Sequence, residues 1–351
     1  MISSEFALVE TIRRLAGKAR APVALGIGDD CAVIDVRPGE VLLHTTDCLV
    51  EGVHFRREYF AAIDIGLKAV AVNLSDIAAM GGRPVAFLLT LVIPGRARDG
   101  RGNDTIQETG RDDERYLLDI VRGAIACGRK FGCQLAGGNV SSTRGDGLIV
   151  DVSMIGAAKK GCVLRRSGAR PGDVVLVSGH PGQSSAGLAL LNDSRLTTHD
   201  SRLRTASSIQ HPASSLRAAH LRPQPMLALG RSLAERGLAT ACIDTSDGLV
   251  QDLGHICGES GVGAEIDAAK IPISRALRRL CSESRKDPLE FALGGGEDYG
   301  LLFTVTEKDF PKVRRLKSPV PITSIGRITR SRKVRITGCD DLRTSGFDHL
   351  K

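Results

Sequence analysis

Acidic side chains in glycine-rich or polar segments are the residues of this sequence best suited to chemistry. They occur in five strings: Asp29-Asp30 in GIGDD, Asp47 in TTD, Asp76 in NLSD, Asp244 and Asp247 in IDTSDG, and Glu297-Asp298 after three glycines. Mg²⁺ prefers oxygen ligands and often bridges carboxylates to phosphate oxygens. In a chain with a net charge of +8, these strings predict a site for divalent cations and a phosphorylated ligand.

Each string taken alone also suits an ordinary structural role. These roles are a helix N-cap for Asp244 and Asp247, a solvated helix position for Asp76, a turn for Asp29-Asp30 and a strand end for Thr45-Thr46-Asp47. His54 is equally typical of a surface or packed histidine. The five acidic strings together are harder to explain as independent turns, but they do not identify a substrate.

Two common nucleotide-binding motifs are excluded. The segment Gly26-Ile27-Gly28 lacks the third glycine of the dinucleotide fingerprint, and the chain has no GxxxxGK[ST] string. A nucleotide bound by this chain would therefore need metal ions to mediate its contacts.

A separate glycine loop, SGHPGQSSAG at 178–187, could cradle a phosphate on free backbone N–H groups or could be a serine-capped turn.

Periodicity indicates the elements that position these residues. Residues 61–80 carry Ile63, Leu67, Val70, Leu74 and Ile77 at helical spacing, which predicts a helix with Asp76 on the opposite face, ending at Gly81-Gly82. Further helices are predicted at 5–15, 115–131, 184–191, 224–236 and 248–257. The segment 26–34 is typical of a glycine turn that runs into a short apolar strand, and further strands are predicted at 40–50, 87–93, 147–156, 173–179, 239–243 and 301–305. A glycine turn is predicted at 136–142. The stretches 94–114 and 192–213 are typical of loops.

The length of 351 residues fits two domains of about 150 to 200 residues each. A basic, turn-rich segment near 157–172 predicts the boundary, giving domains 1–157 and 158–351. Both mix strands and helices, so the fold class is α/β or α+β.

Composition narrows the class of protein further. No apolar run reaches the roughly 18 residues that cross a bilayer, and the N-terminus has no signal-peptide layout, so a soluble cytoplasmic protein without membrane partners is predicted. Nine cysteines without a CxxC pair suggest reduced, mostly buried thiols. No Trp and only three Tyr argue against nucleic-acid binding despite the basic charge.

The chain as a whole resembles thiamine-monophosphate kinase, of the superfamily that includes aminoimidazole ribonucleotide synthetase and selenophosphate synthetase. The matching strings are GIGDDCA, TTDCLVEGVHF, GLKAVAVNLSDIAAMGGRP, RRSGARPGD, GHPGQSSAGLAL, HLRPQP, IDTSDGLVQDLGHI and GGGEDYGL. The resemblance implies an N-terminal α/β domain that binds metal and ATP and dimerises through its sheet. It also implies a C-terminal α+β domain that completes the nucleotide and substrate cleft.

The resemblance further implies an activity and a set of ligands. The activity is ATP-dependent phosphorylation of thiamine monophosphate to thiamine diphosphate, the last step of thiamine diphosphate biosynthesis, by direct in-line transfer with several Mg²⁺ ions and no assigned general base. Implied metal positions are Asp30, Thr45, Thr46, Asp47, Asp76, Asn139, Asp244 and Asp247; ATP-binding positions are Gly138, Asn139, Arg166 and Ser246; acceptor-binding positions are His54, Glu297 and Phe347.

One departure from the family pattern concerns the metal site. The usual GGDT turn reads Gly137-Gly138-Asn139-Val140, so Asn139 keeps an oxygen ligand but loses the negative charge. This change predicts a weaker metal site or a water-bridged one.

Three alternatives remain open at the level of sequence. The first is another ATP-dependent enzyme of the superfamily, such as an amidoxime-type cyclase or a selenophosphate synthetase; the chain lacks the reactive N-terminal cysteine segment of the latter. The second is a catalytically weak paralogue that binds nucleotide or thiamine phosphates, which Asn139 favours. The third is a nucleic-acid-binding protein, which rests on the charge of +8 alone.

Overall fold

A computed structural model describes residues 5–28, 31–94, 110–143, 145, 147–192 and 212–339. These residues form two compact units: the first takes residues up to 74 together with 83–158, and the second takes 75–82 together with the chain from 159 onward. The predicted limits of 1–157 and 158–351, with the roles given to each part, stay a prediction. The structure adds that residues 75–82, which include Asp76, pack with the second unit.

The first unit contains a four-stranded sheet, a short two-stranded ribbon and helices. Its helices are α1 (Glu5–Ala16), α2 (Ala62–Ala79, whose last residues belong to the second unit) and α3 (Gly110–Lys130). Its strands are β1 (Val23–Leu25), β2 (Val33–Ile34), β3 (Glu40–Val50), β4 (Arg83–Pro94), β5 (Gln134–Thr143) and β6 (Ile149–Lys159).

The main sheet of this unit has the order β3-β6-β4-β5, with β4 parallel to β5 and antiparallel to β6. Alternate residues of β6 are buried, including Val150, Val152 and Met154, and the intervening residues are partly exposed. This period of two means that one face of the sheet is covered and the other is open. Leu42 of β3 and Leu88 of β4 are 50% and 38% exposed.

The second unit is built around a six-stranded sheet. Its strands are β7 (Val174–Ser178), β8 (Ala239–Asp244), β9 (Gly263–Asp267), β10 (Leu301–Val305), β11 (Ile322–Thr329) and β12 (Val334–Thr337). Its helices are α4 (Gln183–Asn192), α5 (Pro212–Leu221), α6 (Leu227–Glu235), α7 (Leu249–Ser260), α8 (Arg275–Ser284), α9 (Pro288–Gly294) and α10 (Phe310–Val313).

This sheet has the order β12-β9-β11-β7-β10-β8 and is covered on both faces. In β7, Val175 and Val177 join the hydrophobic cluster that contains residues of α7 and α9, whereas Val174 and Leu176 join the cluster that contains residues of α6. Strands buried on both faces read as continuous apolar runs, which explains VVLV in β7 and LLFTV in β10.

The predicted elements agree with the structure wherever an apolar pattern was strong. The helix predicted at 61–80 is α2, and the strand predicted at 301–305 is β10. The glycine turn and short strand predicted at 26–34 agree with the described residues, since Val33–Ile34 forms β2 and pairs with β1. Helices α5, α8, α9 and α10 and strands β1, β9, β11 and β12 were not predicted, and the glycine turn predicted at 136–142 is instead part of strand β5. Residues 95–109 and 193–211, most of the two predicted loops, lie outside the described residues.

Five cysteines are buried, as the sequence indicated: Cys127, Cys133, Cys242, Cys257 and Cys281. No helix in the described part of the chain is both long and apolar enough to cross a membrane. The mixed sheet-and-helix composition of both units confirms the predicted fold class.

Candidate active site

The loops that follow β8 and precede β10 are held side by side by backbone hydrogen bonds. Thr245 N–H donates to the Gly300 carbonyl at 3.0 Å, and Tyr299 N–H donates to the Thr245 carbonyl at 2.8 Å. Farther from the sheet, Glu297 N–H donates to the Ser246 carbonyl at 2.7 Å. The antiparallel pairing of β8 with β10 thus continues beyond the strands, and it fixes IDTSDG against GGGEDYG.

Close backbone approach explains the run of glycines in the second loop. A Cβ atom on Gly296 would lie 2.5 Å from the Ser246 carbonyl oxygen, which is closer than real Cβ contacts allow. The residues that take left-handed φ values are instead Glu297 at 61° and Tyr299 at 51°. Left-handed backbone is uncommon for non-glycine residues and is enriched at functional sites.

Asp244, the last residue of β8, forms the centre of a buried acidic group in the second unit. Its Oδ2 accepts a hydrogen bond from Ser75 Oγ at 2.7 Å. Burial and the negative charge of Asp76 raise the pKa of Asp244 to about 7, while Ser75 and Arg166 oppose that rise. The structure therefore brings together two predicted metal positions, Asp76 and Asp244, and places the Arg166 charge nearby.

Asp247 and Asp252 extend this group along the start of α7. Asp247 is 41% exposed and accepts from Gln251 Nε2 at 3.3 Å. Asp252 is fully buried, accepts from Gly248 N–H at 3.2 Å, and among the described residues has no partner for its Oδ1. Burial, followed by the charges of Asp244 and Asp247, raises the pKa of Asp252 to about 8. The charge of Asp244 thus acts on Asp252 in the first turn of α7.

The glycine loop at 178–187 is occupied by a side chain of the protein itself. Asp298 accepts backbone N–H bonds from Gly182 at 2.6 Å and Ser184 at 3.1 Å, and also from Gln183, at the start of α4. Burial nevertheless raises the pKa of Asp298 to about 7. The phosphate-cradle interpretation of this loop was wrong, because these N–H groups serve the Asp298 carboxylate.

In the first unit, one row of side chains crosses the open face of the sheet. Asn139 of β5 pairs with Thr90 of β4, and Thr90 pairs with Asp151 of β6. Thr46 Oγ1 of β3 donates to Asp151 Oδ1 at 3.2 Å. Two predicted metal positions, Thr46 and Asn139, therefore belong to the same row, with Asp151 between them.

Alternation along β3 places Thr45 and Asp47 on the opposite face of the sheet from Thr46. The Asp47 charge still acts near this row, because Asp151 and Asp47 both help burial to raise the pKa of Cys48. An ion that contacted all of Thr45, Thr46 and Asp47 would need a backbone oxygen from at least one of them.

Gly138 is required by the register of the parallel pair. A Cβ atom there would lie 1.9 Å from the Leu89 carbonyl oxygen, and its φ is 156°. Gly138 and Asn139 line a cavity of about 640 Å³ on the open face, together with His44, Thr90 and Ser153. This cavity gives the predicted ATP-binding positions of the first unit a concave surface.

His54 is held within the loop that follows β3. Its Nδ1 accepts from Val50 N–H at 3.1 Å, so its proton sits on Nε2 when the ring is neutral. The predicted positions Asp30 and Phe347 lie outside the described residues.

The comparisons with known proteins cover nearly the whole chain. Residues 28–158 match the N-terminal domain of AIR synthase related proteins, and residues 170–339 match their C-terminal domain. Thiamine-monophosphate kinase of Escherichia coli K12 is 39% identical over 331 residues, which are 94% of this chain and 91% of that protein. The chain belongs to the thiamine-monophosphate kinase family.

Solved structures agree with this assignment. Thiamine-monophosphate kinase from Stenotrophomonas maltophilia K279a has a TM-score of 0.79 and 37% identity, covering 95% of this chain and 97% of that one. AaThiL complexed with AMPPCP and TMP has a TM-score of 0.73 and 32% identity, covering 98% and 96%. Of the superfamily alternatives, these similarities favour the thiamine-monophosphate kinases.

Several residues of this family member were missed by the sequence reasoning. The positions of Ser75, Asp151 and Asp252 depend on strand pairing and packing. Only Asp252 had a local signal, because its place in the first turn of α7 lets it accept from Gly248 N–H at the start of that helix. Asp298 was noted as acidic but was not assigned a contact. His220, in HLRPQP, was quoted without any role.

The donor set suits a hard cation, although it is dispersed. Asp76, Asp244 and Asp247 offer carboxylate oxygens, and the effect of the Asp76 charge on the pKa of Asp244 reflects the crowding of negative charge that a divalent ion neutralises. Across the described ranges, no three His, Cys, Asp or Glu side chains converge on one metal-binding point. The carboxylates of Asp76, Asp244 and Asp247 nevertheless provide the kind of oxygen ligand that Mg²⁺ prefers.

Replacing Asp298 by Ala should destabilise the second unit, because it leaves three backbone N–H groups at the start of α4 without their acceptor. We expect a loss of about 1–3 kcal/mol in the free energy of unfolding, measured by urea denaturation. Asp287→Ala is the matched control, since Asp287 caps α9 through a single bond to Leu289 N–H on an exposed surface. A loss for Asp298→Ala no larger than that of the control would contradict this role.

Proposed function

We propose that this protein transfers the γ-phosphoryl group of ATP to thiamine monophosphate, forming thiamine diphosphate and ADP in the last step of thiamine diphosphate biosynthesis. The observation that carries the proposal is the pair formed by Asp76 and Asp244, each within a family motif, in a chain similar over 94% of its length to a thiamine-monophosphate kinase. The AaThiL complex supports the choice of ligands, because that similar protein holds an ATP analogue together with TMP.

The charges of the two substrates explain the need for so many carboxylates. ATP and thiamine monophosphate both carry phosphate anions at neutral pH, so their approach is unfavourable without cations. Mg²⁺, when bound, supplies charge neutralisation and orientation of both phosphates. The attacking atom is a phosphate oxygen that is already largely ionised, since its second pKa is about 6. No general base is required, and none is assigned.

The proposed roles of individual residues follow the family pattern. Metal ions would be held by Asp30, Thr45, Thr46, Asp47, Asp76, Asn139, Asp244 and Asp247; ATP would contact Gly138, Asn139, Arg166 and Ser246; the acceptor would contact His54, Glu297 and Phe347. The buried Asp244 is supported most strongly, because Ser75 fixes its orientation and Asp76 supplies the second charge. Transfer would be in line, without a phosphoenzyme.

Assembly and location are part of the same proposal. The open face of the first sheet exposes Leu42, which a second copy of the chain would cover while leaving the cavity that Leu88 lines to the nucleotide, and this supports a homodimer. Because the reaction consumes ATP, we place it in the cytoplasm.

The direct test incubates the purified protein with ATP, Mg²⁺ and thiamine monophosphate and separates the products by chromatography. We expect thiamine diphosphate and ADP in equal amounts, and neither when Mg²⁺ is chelated with EDTA. Tight binding of ATP or thiamine monophosphate without product would instead favour the catalytically weak paralogue that Asn139 suggested. Neither binding nor product would contradict the proposed function.

Asp76→Asn should lower kcat by about 100-fold or more, because it removes a charge that faces Asp244 and the proposed metal ions. The amide has the same shape, so circular dichroism and the urea midpoint should stay close to those of the wild type. Asp119→Asn, on the exposed surface of α3, is the control and should retain full activity. Near-normal turnover of Asp76→Asn at saturating Mg²⁺ would refute the metal assignment.

Asn139→Asp should lower the Mg²⁺ concentration that gives half the maximal rate, since it adds a carboxylate to the row that contains Asp151. Asn139→Ala should shift it in the opposite direction, because it removes the oxygen ligand. Both shifts are measured from initial rates against free Mg²⁺ at fixed ATP. If neither substitution changes the Mg²⁺ dependence, Asn139 lies outside the metal site.

A further inference from the structure

Two family motifs, GHPGQSS and HLRPQP, have no part in the phosphoryl chemistry described above, yet they meet at one buried histidine. His220 lies in the last turn of α5 and is 2% exposed. Its Nδ1 is 3.1 Å from Ser184 Oγ of α4 and 3.2 Å from Glu297 Oε2. The histidine thus joins two helices to the loop that carries Glu297, the proposed acceptor-binding carboxylate.

A hydrogen bond between His220 and Glu297 requires a proton on a particular ring nitrogen. An ionised carboxylate can only accept hydrogen bonds, so His220 must carry a proton on Nδ1 to bind Glu297. The Ser184 hydroxyl, fully buried, faces the same nitrogen. A bond from a ring nitrogen to a carboxylate is charge-assisted and therefore stronger than a neutral one.

The backbone of Glu297 is already determined by other contacts. Its φ of 61° and its N–H bond to the Ser246 carbonyl set where the side chain leaves the loop. The next residue, Asp298, is fixed to the start of α4. What these contacts leave undetermined is the rotamer of the Glu297 side chain, and this is what His220 constrains.

The exposed fractions of the two side chains indicate which way the Glu297 carboxylate faces. Glu297 is 25% exposed while His220 is buried, so the carboxylate faces outward from a fixed anchor. Restricting a flexible side chain before a ligand arrives reduces the entropy lost on binding.

We propose that His220 is a positioning residue, which holds the Glu297 carboxylate in the orientation that binds the organic, cationic part of the phosphate acceptor. The proposal rests on the proposed function, in which the acceptor is thiamine monophosphate. That molecule carries a quaternary thiazolium cation and an amino group, and either would be attracted by an oriented carboxylate. GHPGQSS and HLRPQP accordingly serve acceptor affinity rather than ATP binding.

The kinetic test compares His220→Leu with His220→Asn in the full-length protein. Leu removes the donor, whereas the Asn amide can place an N–H near the position of Nδ1. For His220→Leu we expect KM for thiamine monophosphate to rise about 10-fold, with KM for ATP and kcat changed less than about 3-fold; His220→Asn should recover most of the loss. Asp287→Ala, which weakens an exposed helix cap of the same unit, controls for lost stability.

A double-mutant cycle decides whether His220 acts through Glu297. In a Glu297→Ala background, His220→Leu should have no further effect on KM for thiamine monophosphate, because the side chain that it positions is gone. Additive effects of the two substitutions would overturn the proposal. Equal rises in both KM values, or a loss of kcat alone, would also overturn it. If His220→Leu does not fold, His220→Phe, which also removes the donor, gives the same comparison against Glu297→Ala.

A measurement without turnover separates this proposal from the proposed function. Nitrogen-15 NMR of the His220 ring, assigned by comparison with His220→Asn, should show a proton on Nδ1, and Glu297→Gln should shift that signal. An unprotonated Nδ1 would overturn the positioning role even in an active enzyme. Absence of thiamine diphosphate formation with Nδ1 protonated would instead contradict the proposed function and the choice of acceptor, and leave the contact established.

Discussion

The backbone pairing between the loops after β8 and before β10 is the constraint on which the candidate site of the second unit depends. The bonds of Thr245 with Gly300 and Tyr299, and of Ser246 with Glu297, fix the two acidic motifs in a common register. Asp244 is then held at the end of the buried strand β8, which lies at one edge of the sheet, and Glu297 is turned by its left-handed backbone. Because both strands are buried on both faces, neither loop can slide without breaking the sheet.

Negative charge within the second unit is the second organising feature. Burial raises the pKa values of Asp244, Asp252 and Asp298, so their ionised forms are unfavourable in the protein alone. The cost of burying the Asp298 carboxylate is offset by three backbone N–H groups at the start of α4, and this residue has a structural role. Asp244, next to Asp76, has only Ser75 and the Arg166 charge to oppose the crowding, and it is the carboxylate for which a bound cation would matter most.

The sequence predicted the elements whose apolar pattern was strong, including α2, β3, β7 and β10, and it failed where the pattern was mixed. Helix α9 spans only seven residues, too few to show a helical period, and helix α8 was missed although Leu277, Leu280 and Cys281 stand at helical spacing. Strand β12 lies at the edge of the sheet, and both β11 and β12 carry polar residues. Residue types likewise singled out Asp76 and Asp244 as candidates. For the glycine loop at 178–187 they left a phosphate cradle and a serine-capped turn open, because the carboxylate that its N–H groups bind, Asp298, lies more than 110 residues further along the chain.

By itself, then, the sequence determined the mixed α/β class, the acidic motifs and the family, since these depend on residue type, spacing and order. Tertiary structure alone decided which of these residues meet. Strand order brought Thr46, Asp151 and Asn139 into one row, and helix packing placed Ser184 and His220 behind Glu297. Hydrogen bonds between residues this distant in the chain depend on how the elements pack, and no local pattern in the sequence encodes that packing.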